Sequence, residues 1–313
     1  MILRERPSGL RLFLLSRGSI LPRIRGILIA NIVLASGVAW LHDALVAQGL
    51  TINTIPFTLI GLPLAIFLGF RNTAAYERFW EGRKLWGDLI VHSRSLARQC
   101  QNLVSGPQPV HMGLGVVDAR VRMTLRTAAF AHSLRLFLRD LPLPESLAPW
   151  CGDEEWGRAR TSQSPSDYLL QAMGRDLGAC LKRGDLDACL ANAIDRTLSG
   201  LQHVAGSCER LKSTPIPFSY TLLLRRTAYV YCFLLPFGLV NSLGLMTPLV
   251  VAVVAYTFFG LDALGDEIEE PFGLASNDLP LDALCRTIEI SMLSSLQADT
   301  IPYELQPVDY QLS

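Results

Sequence analysis

Leu62, Ile66 and Phe70 recur at i, i+4 and i+8 inside a segment free of charge from Leu50 to Phe70. On a helix they stand one above another on a single face. Such a stripe can line a pore if several copies of the chain surround one axis, or it can pack against other apolar helices. A second group worth testing is the acidic run Asp262, Asp266, Glu267, Glu269 and Glu270, followed by Asp278 and Asp282. Acids at that density form a solvated helix end, pair with nearby arginines or ligate a cation. Catalytic sets are missing from the sequence. The five histidines (His42, His92, His111, His132, His203) are scattered, no Gly-x-x-x-x-Gly-Lys occurs, and Glu267 and Glu270 lack the Glu-x-x-His spacing of di-iron bundles. The chain therefore reads as a non-enzyme. Its seven cysteines include no Cys-x-x-Cys and are read as reduced, packed thiols.

The elements that must position the stripe are those of a membrane protein with a soluble part. Of 313 residues, 50% are hydrophobic and 18% charged, with a mean hydropathy of +0.30, against roughly 25% charged in ordinary soluble domains. Net charge is zero, which gives no reason to expect a nucleic-acid partner. One apolar span runs from about Gly26 to His42 and a second from Leu50 to Phe70, each near the roughly 20 residues a bilayer core requires. The second span continues past Phe70 as an amphipathic helix, with no Pro or Gly cluster to stop it between Arg71 and Trp86. A third block is uncharged from Thr227 to Leu261 and broken at Asn241-Ser242-Leu243-Gly244 and Thr247-Pro248, the pattern of a hairpin of two membrane helices. Arg225, Arg226 and Asp262 are expected near one interface, flanking the two arms. Arg4, Arg6, Arg11, Arg17, Arg23 and Arg25 precede span one, Arg71, Arg78, Arg83 and Lys84 follow span two, and Arg210, Lys212, Arg225 and Arg226 precede span three. The loops at Ala47 to Asn53 and Asn241 to Thr247 carry no Lys or Arg, so both termini are expected in the cytoplasm.

The middle of the chain reads as helices. Val116, Val117, Val121, Leu125, Ala128, Leu134 and Leu138 follow a three-four spacing, as do Leu186, Leu190, Ile194, Leu198, Leu201, Val204, Cys208 and Leu211. Another helix is predicted over Asp167 to Lys182, a loop over Leu141 to Ser166, and a helix started by Asn277-Asp278 and Pro280. The tail from Asp299 is predicted to be extended. No strand pattern stands out.

Taken together, Phe67-Leu-Gly-Phe-Arg-Asn72, Tyr76-Glu-Arg78, Leu85-Trp-Gly87, Thr214-Pro-Ile-Pro-Phe-Ser-Tyr220, Leu261-Asp-Ala-Leu264, Glu270-Pro-Phe-Gly273 and Asn277-Asp-Leu-Pro-Leu-Asp282 resemble the bestrophin family, in particular its short bacterial members. The resemblance implies an all-α homopentamer in the bacterial inner membrane, with four transmembrane helices per chain, a helical cytosolic domain and one central pore. Its partners are its own copies, the lipid bilayer and the permeating ions. By position, the family's hydrophobic neck falls on Leu62, Ile66 and Phe70. Apolar rings of that kind dewet when narrow and pass ions when splayed, because an ion that sheds its water there gains nothing in return. A second, cytosolic restriction falls on Ala179, beside Cys180. The positions that bind calcium in eukaryotic members are Glu267, Glu270 and Asp278 here, with Ala275 where a further carboxylate is expected, which weakens any such site. The expected organisation is a cytosolic segment over 1–25, transmembrane helices one and two over 26–76, a cytosolic helical domain over 77–217, transmembrane helices three and four over 218–262, and a cytosolic helix with an extended tail over 263–313. The function read from this is an ion channel for small monovalent ions, cations favoured over anions. The alternatives are a secondary transporter, against which stand the lack of repeats and of charge within the spans, and a membrane-anchored scaffold.

Overall fold

The computed structural model describes residues 1–2, 18–47, 53–106 and 108–313. Arg4, Arg6, Arg11, Arg17 and most of the loop from Ala47 to Asn53 lie outside them. Among the described residues the regular structure is all helical: α1 (Leu21–Trp40), α2 (His42–Ala47), α3 (Ile55–Leu103), α4 (Ala119–Leu138), α5 (Asp153–Thr161), α6 (Pro165–Arg183), α7 (Ala188–Ser213), α8 (Phe218–Leu243), α9 (Thr247–Glu269) and α10 (Leu281–Ser295). These helices form two compact units, one of residues 18–79 and 215–270, the other of residues 1–2, 80–214 and 271–313.

The first unit holds α1, the first half of α3, α8 and α9. Leu21–Trp40, Ile55–Leu103 and the pair Phe218–Glu269 are long and apolar enough to cross a membrane. The α8–α9 pair is divided where the sequence placed its breakers: α8 stops before Gly244, which takes a positive φ of 51°, and a 3₁₀ turn over Gly244–Met246 leads into α9, with Pro248 in its first turn. Small side chains sit where these helices meet. Ala35 and Ala255 are fully buried, beside Phe57, Leu235 and Val251 in one cluster and Ile24, Cys232 and Phe259 in another. Close approach of this kind is how apolar helices associate where lipid is as greasy as they are. The buried Asn31 amide donates to the Cys232 carbonyl at 3.0 Å, tying α1 to α8.

The second unit is built around α4, which is buried on nearly every side. Its two threonine hydroxyls are satisfied within the helix: Thr124 Oγ1 donates to the Arg120 carbonyl at 2.8 Å and Thr127 Oγ1 to that of Met123 at 2.9 Å. Three helices here start on side-chain caps: Asp118 accepts from the Arg120 N–H, Ser164 from that of Asp167 and Asp187 from that of Cys189. Each cap is worth about 1 kcal/mol.

Three local expectations are corrected. Val116 and Val117 precede α4, because the Asp118 cap starts the helix after them. The segment read as a loop from Leu141 to Ser166 contains a 3₁₀ turn and α5, whose first turn carries Asp153, Glu154 and Glu155 and whose last carries Arg158 and Arg160, charges matched to the helix dipole. Helix α10 begins at Leu281; Asp278 closes the preceding turn, its Oδ2 accepting from the Ala275 N–H at 2.7 Å.

Candidate functional site

Within the first unit, α3 divides sharply into two faces. Phe57, Leu64, Leu68, Arg71 and Ala75 are buried. On the opposite face Leu62, Ile66 and Phe70 are 67%, 47% and 63% exposed, and Ile55 and Leu59 continue the same stripe at 62% and 69%. Among the described residues, nothing covers the predicted neck residues. Ile55 and Leu59 went unassigned in the sequence, although their spacing of seven and three from Leu62 was there to be read. Gly61, Ala65 and Gly69 are small residues on neighbouring faces of α3, and Gly61 is the one at a close approach: a Cβ there would meet the Tyr231 hydroxyl at 2.7 Å. Ala65 and Gly69 are exposed, and nothing lies within 4 Å of a Cβ at Gly69.

Just past Phe70 the buried face turns polar. The Arg71 side chain has no exposed surface; its Nη1 donates to Asp262 Oδ1 at 2.8 Å and to the Asp262 carbonyl at 3.2 Å. Its Nη2 pairs with Asp266 and lies 3.6 Å from Glu269 Oε2. Arg225 on α8 donates to Asp262 Oδ2 at 3.0 Å and pairs with Asp266, and Arg23 on α1 lies 3.7 Å from Asp266. Three cations thus share three carboxylates, and these pairings offset part of the desolvation cost of burying the Arg71 guanidinium. Arg225 and Asp262 lie side by side, as their flanking positions in the hairpin required. About two turns beyond Arg71, Arg78 Nε donates to the Glu269 carbonyl at 3.1 Å. Both arginines are drawn inward, away from the exposed stripe.

The positions considered for calcium fall in two different units. Glu267 is half-buried near the end of α9 and Glu270 exposed just after it, whereas Asp278 is buried in the second unit and closes its own turn. Among the described residues no group of three or more His, Cys, Asp or Glu side chains could hold a metal ion. Asp262, Asp266 and Glu269 on α9 pair with arginines. Ala179 lies half-buried on α6 beside Cys180, whose buried thiol accepts from Arg183 Nη2 at 3.3 Å. Burial pushes the Cys180 thiol up, as it does Cys100 and Cys285, both to about 12. Of the cysteines only Cys189 is exposed.

This combination of an uncovered apolar stripe and a buried arginine clasp can be set against known proteins. The family described as "Bacterial/Fungal Bestrophin protein" matches residues 1–294. The chain is a bacterial bestrophin. Its relatives include the voltage-dependent anion channel-forming protein YneE of Escherichia coli K12, 39% identical over 100% of both chains. A voltage-dependent anion channel-forming protein of Mesorhizobium japonicum is 41% identical over 95% of this chain and 92% of that one. Among solved structures, a bacterial bestrophin homologue from Klebsiella pneumoniae superposes with a TM-score of 0.81 at 37% identity, covering 88% of this bestrophin and 100% of the other. The resemblance read from the motifs is thereby established, and with it a channel-forming family and the all-α bestrophin fold.

Proposed function

We propose that this bestrophin is a homopentameric ion channel of the bacterial inner membrane whose gate is a hydrophobic neck of Leu62, Ile66 and Phe70. The observation that carries the proposal is the exposed apolar stripe of α3, opposite a face that buries Arg71 among carboxylates. A surface of that kind on a single chain calls for lipid or further copies of itself, and alignment on one helix suits a ring around an axis. The names of the curated relatives support channel formation. They attach anions to those proteins, but an apolar neck has no fixed charge with which to choose a sign. For this chain the proposal is small monovalent ions, cations favoured over anions.

In this reading α1, the first half of α3, α8 and α9 are the four transmembrane helices, within 26–76 and 218–262. Residues 1–25, 77–217 and 263–313 are cytosolic, and both termini are inside, consistent with the arginines flanking the spans. The cytosolic restriction is proposed at Ala179, a small side chain that would leave a wider opening than the neck. No metal and no catalytic step enters the mechanism. An ion crosses the neck when its helices splay enough for water to accompany it.

The test is current through planar bilayers holding the purified full chain. Ile66→Ala should raise conductance or hold the channel open, since shortening the side chain widens and wets the ring; a current identical to that of the unaltered protein would count against the neck. Passive, electrically driven flux in liposomes separates a channel from a transporter, which would couple flux to a second solute, and from a scaffold, which would give none.

A further inference from the structure

Glu77 follows Phe70 by seven residues on the same helix, a spacing that drifts only about 20° around the helix axis. It therefore continues the stripe of Leu62, Ile66 and Phe70. Between them on that face lies only Thr73, a neutral side chain whose hydroxyl donates back to the Gly69 carbonyl at 3.1 Å. Glu77 is thus the first ionisable group on the stripe past the neck. It is exposed, and among the described residues it has no ion-pair partner. The cations that flank it in sequence are withdrawn: Arg71 is buried among Asp262, Asp266 and Glu269, and Arg78 is bound to the Glu269 carbonyl. Above the neck, Ile55 and Leu59 carry the stripe without charge.

Resting on the channel reading above, we infer that Glu77 sets the sign of the permeant ion, as a ring of carboxylates at the inner mouth of the neck. Rings of acidic side chains favour cations by raising their local concentration and opposing anions. Distance decides which charge on α3 matters. By helical rise Glu77 lies roughly 10 Å beyond Phe70, close to the Debye length of about 8 Å at physiological salt. Lys84, the next ionisable residue centred on the stripe, lies roughly 20 Å beyond Phe70, where its opposite charge is screened several times more strongly. The neck itself has no charge, so the nearest ring dominates. This departs from what the names of the curated relatives say of those proteins.

The experiment is the reversal potential of the full chain in planar bilayers across a KCl gradient, read as the potassium-to-chloride permeability ratio. Glu77→Gln should lower that ratio about threefold and Glu77→Lys about tenfold, from five charges at this separation under this screening. Lys84→Gln should move it less than Glu77→Gln does. Glu77 is exposed, so the variants should elute with the size of the unaltered protein. An unchanged ratio in Glu77→Lys, or a larger shift from Lys84→Gln, overturns the inference. Ile66→Ala measured alongside separates the two claims. If Ile66→Ala alters conductance while Glu77→Lys leaves the ratio fixed, the neck stands and Glu77 does not. If Ile66→Ala is silent, the neck falls and this inference with it.

Discussion

At the scale of single residues, Arg71 shows how a charge can serve an apolar helix. It sits one position past Phe70, yet points to the opposite face, where Asp262, Asp266 and Glu269 divide it with Arg225 and Arg23. Removing one partner of such a cluster leaves the others buried and unbalanced, which typically costs about 3–5 kcal/mol. Arg71→Met should therefore lower the thermal unfolding midpoint in detergent markedly. Adding Asp262→Asn restores the balance to two cations and two carboxylates and should recover part of the loss. Equal midpoints for the unaltered protein and Arg71→Met would mean that the cluster contributes little. The acids involved could be read in the sequence as partners for nearby arginines, but their pairing could not. Arg71 and Asp262 are 191 residues apart, and nothing local to either says which face of α3 meets α9.

At the scale of elements, continuity and interruption were legible wherever backbone chemistry leaves a mark. The unbroken run from Phe70 into Trp86 became the single helix α3, and Gly244 with Pro248 divided α8 from α9. Helix α5 was not read, because nine residues rich in charge between Pro- and Ser-containing flanks have no apolar period, although its dipole-matched charges were a usable signal. Gly61, Ala65 and Gly69 are all small enough to let helices approach, but among the described residues only Gly61 meets a neighbour closely. Helix packing depends on which way a residue faces, and spacing alone does not fix that. Gly61→Ala should thus force the Tyr231 ring to shift and cost about 1–3 kcal/mol by overpacking. Gly69→Ala, with open space around it, should be neutral or slightly stabilising. Thermal midpoints of the two variants side by side check this; equal losses would contradict the geometry at Tyr231.

At the scale of the whole molecule, the exposed stripe of α3 has to be covered by something, and its occupant separates the channel reading from a membrane-anchored scaffold. Copies around an axis would place Ile66 against water and ions whenever the gate is open, whereas a lipid-facing Ile66 would meet only acyl chains. The cysteine inventory makes this accessible to chemistry. Six of the seven thiols are buried, and burial holds Cys100, Cys151 and Cys285 at about 12, so they are neutral and unreactive at ordinary pH. Only Cys189 is exposed, and Cys189→Ser gives a silent background. In that background Ile66→Cys should lose most of its current within minutes of adding a charged, membrane-impermeant methanethiosulfonate, because the adduct would put a fixed charge and extra bulk into an apolar ring. The same reagent should leave the current of the background protein unchanged. A thiol at position 66 facing lipid would be hidden from a reagent confined to water, and persistence of the current would then exclude Ile66 from the conduction path whatever the number of copies in the assembly.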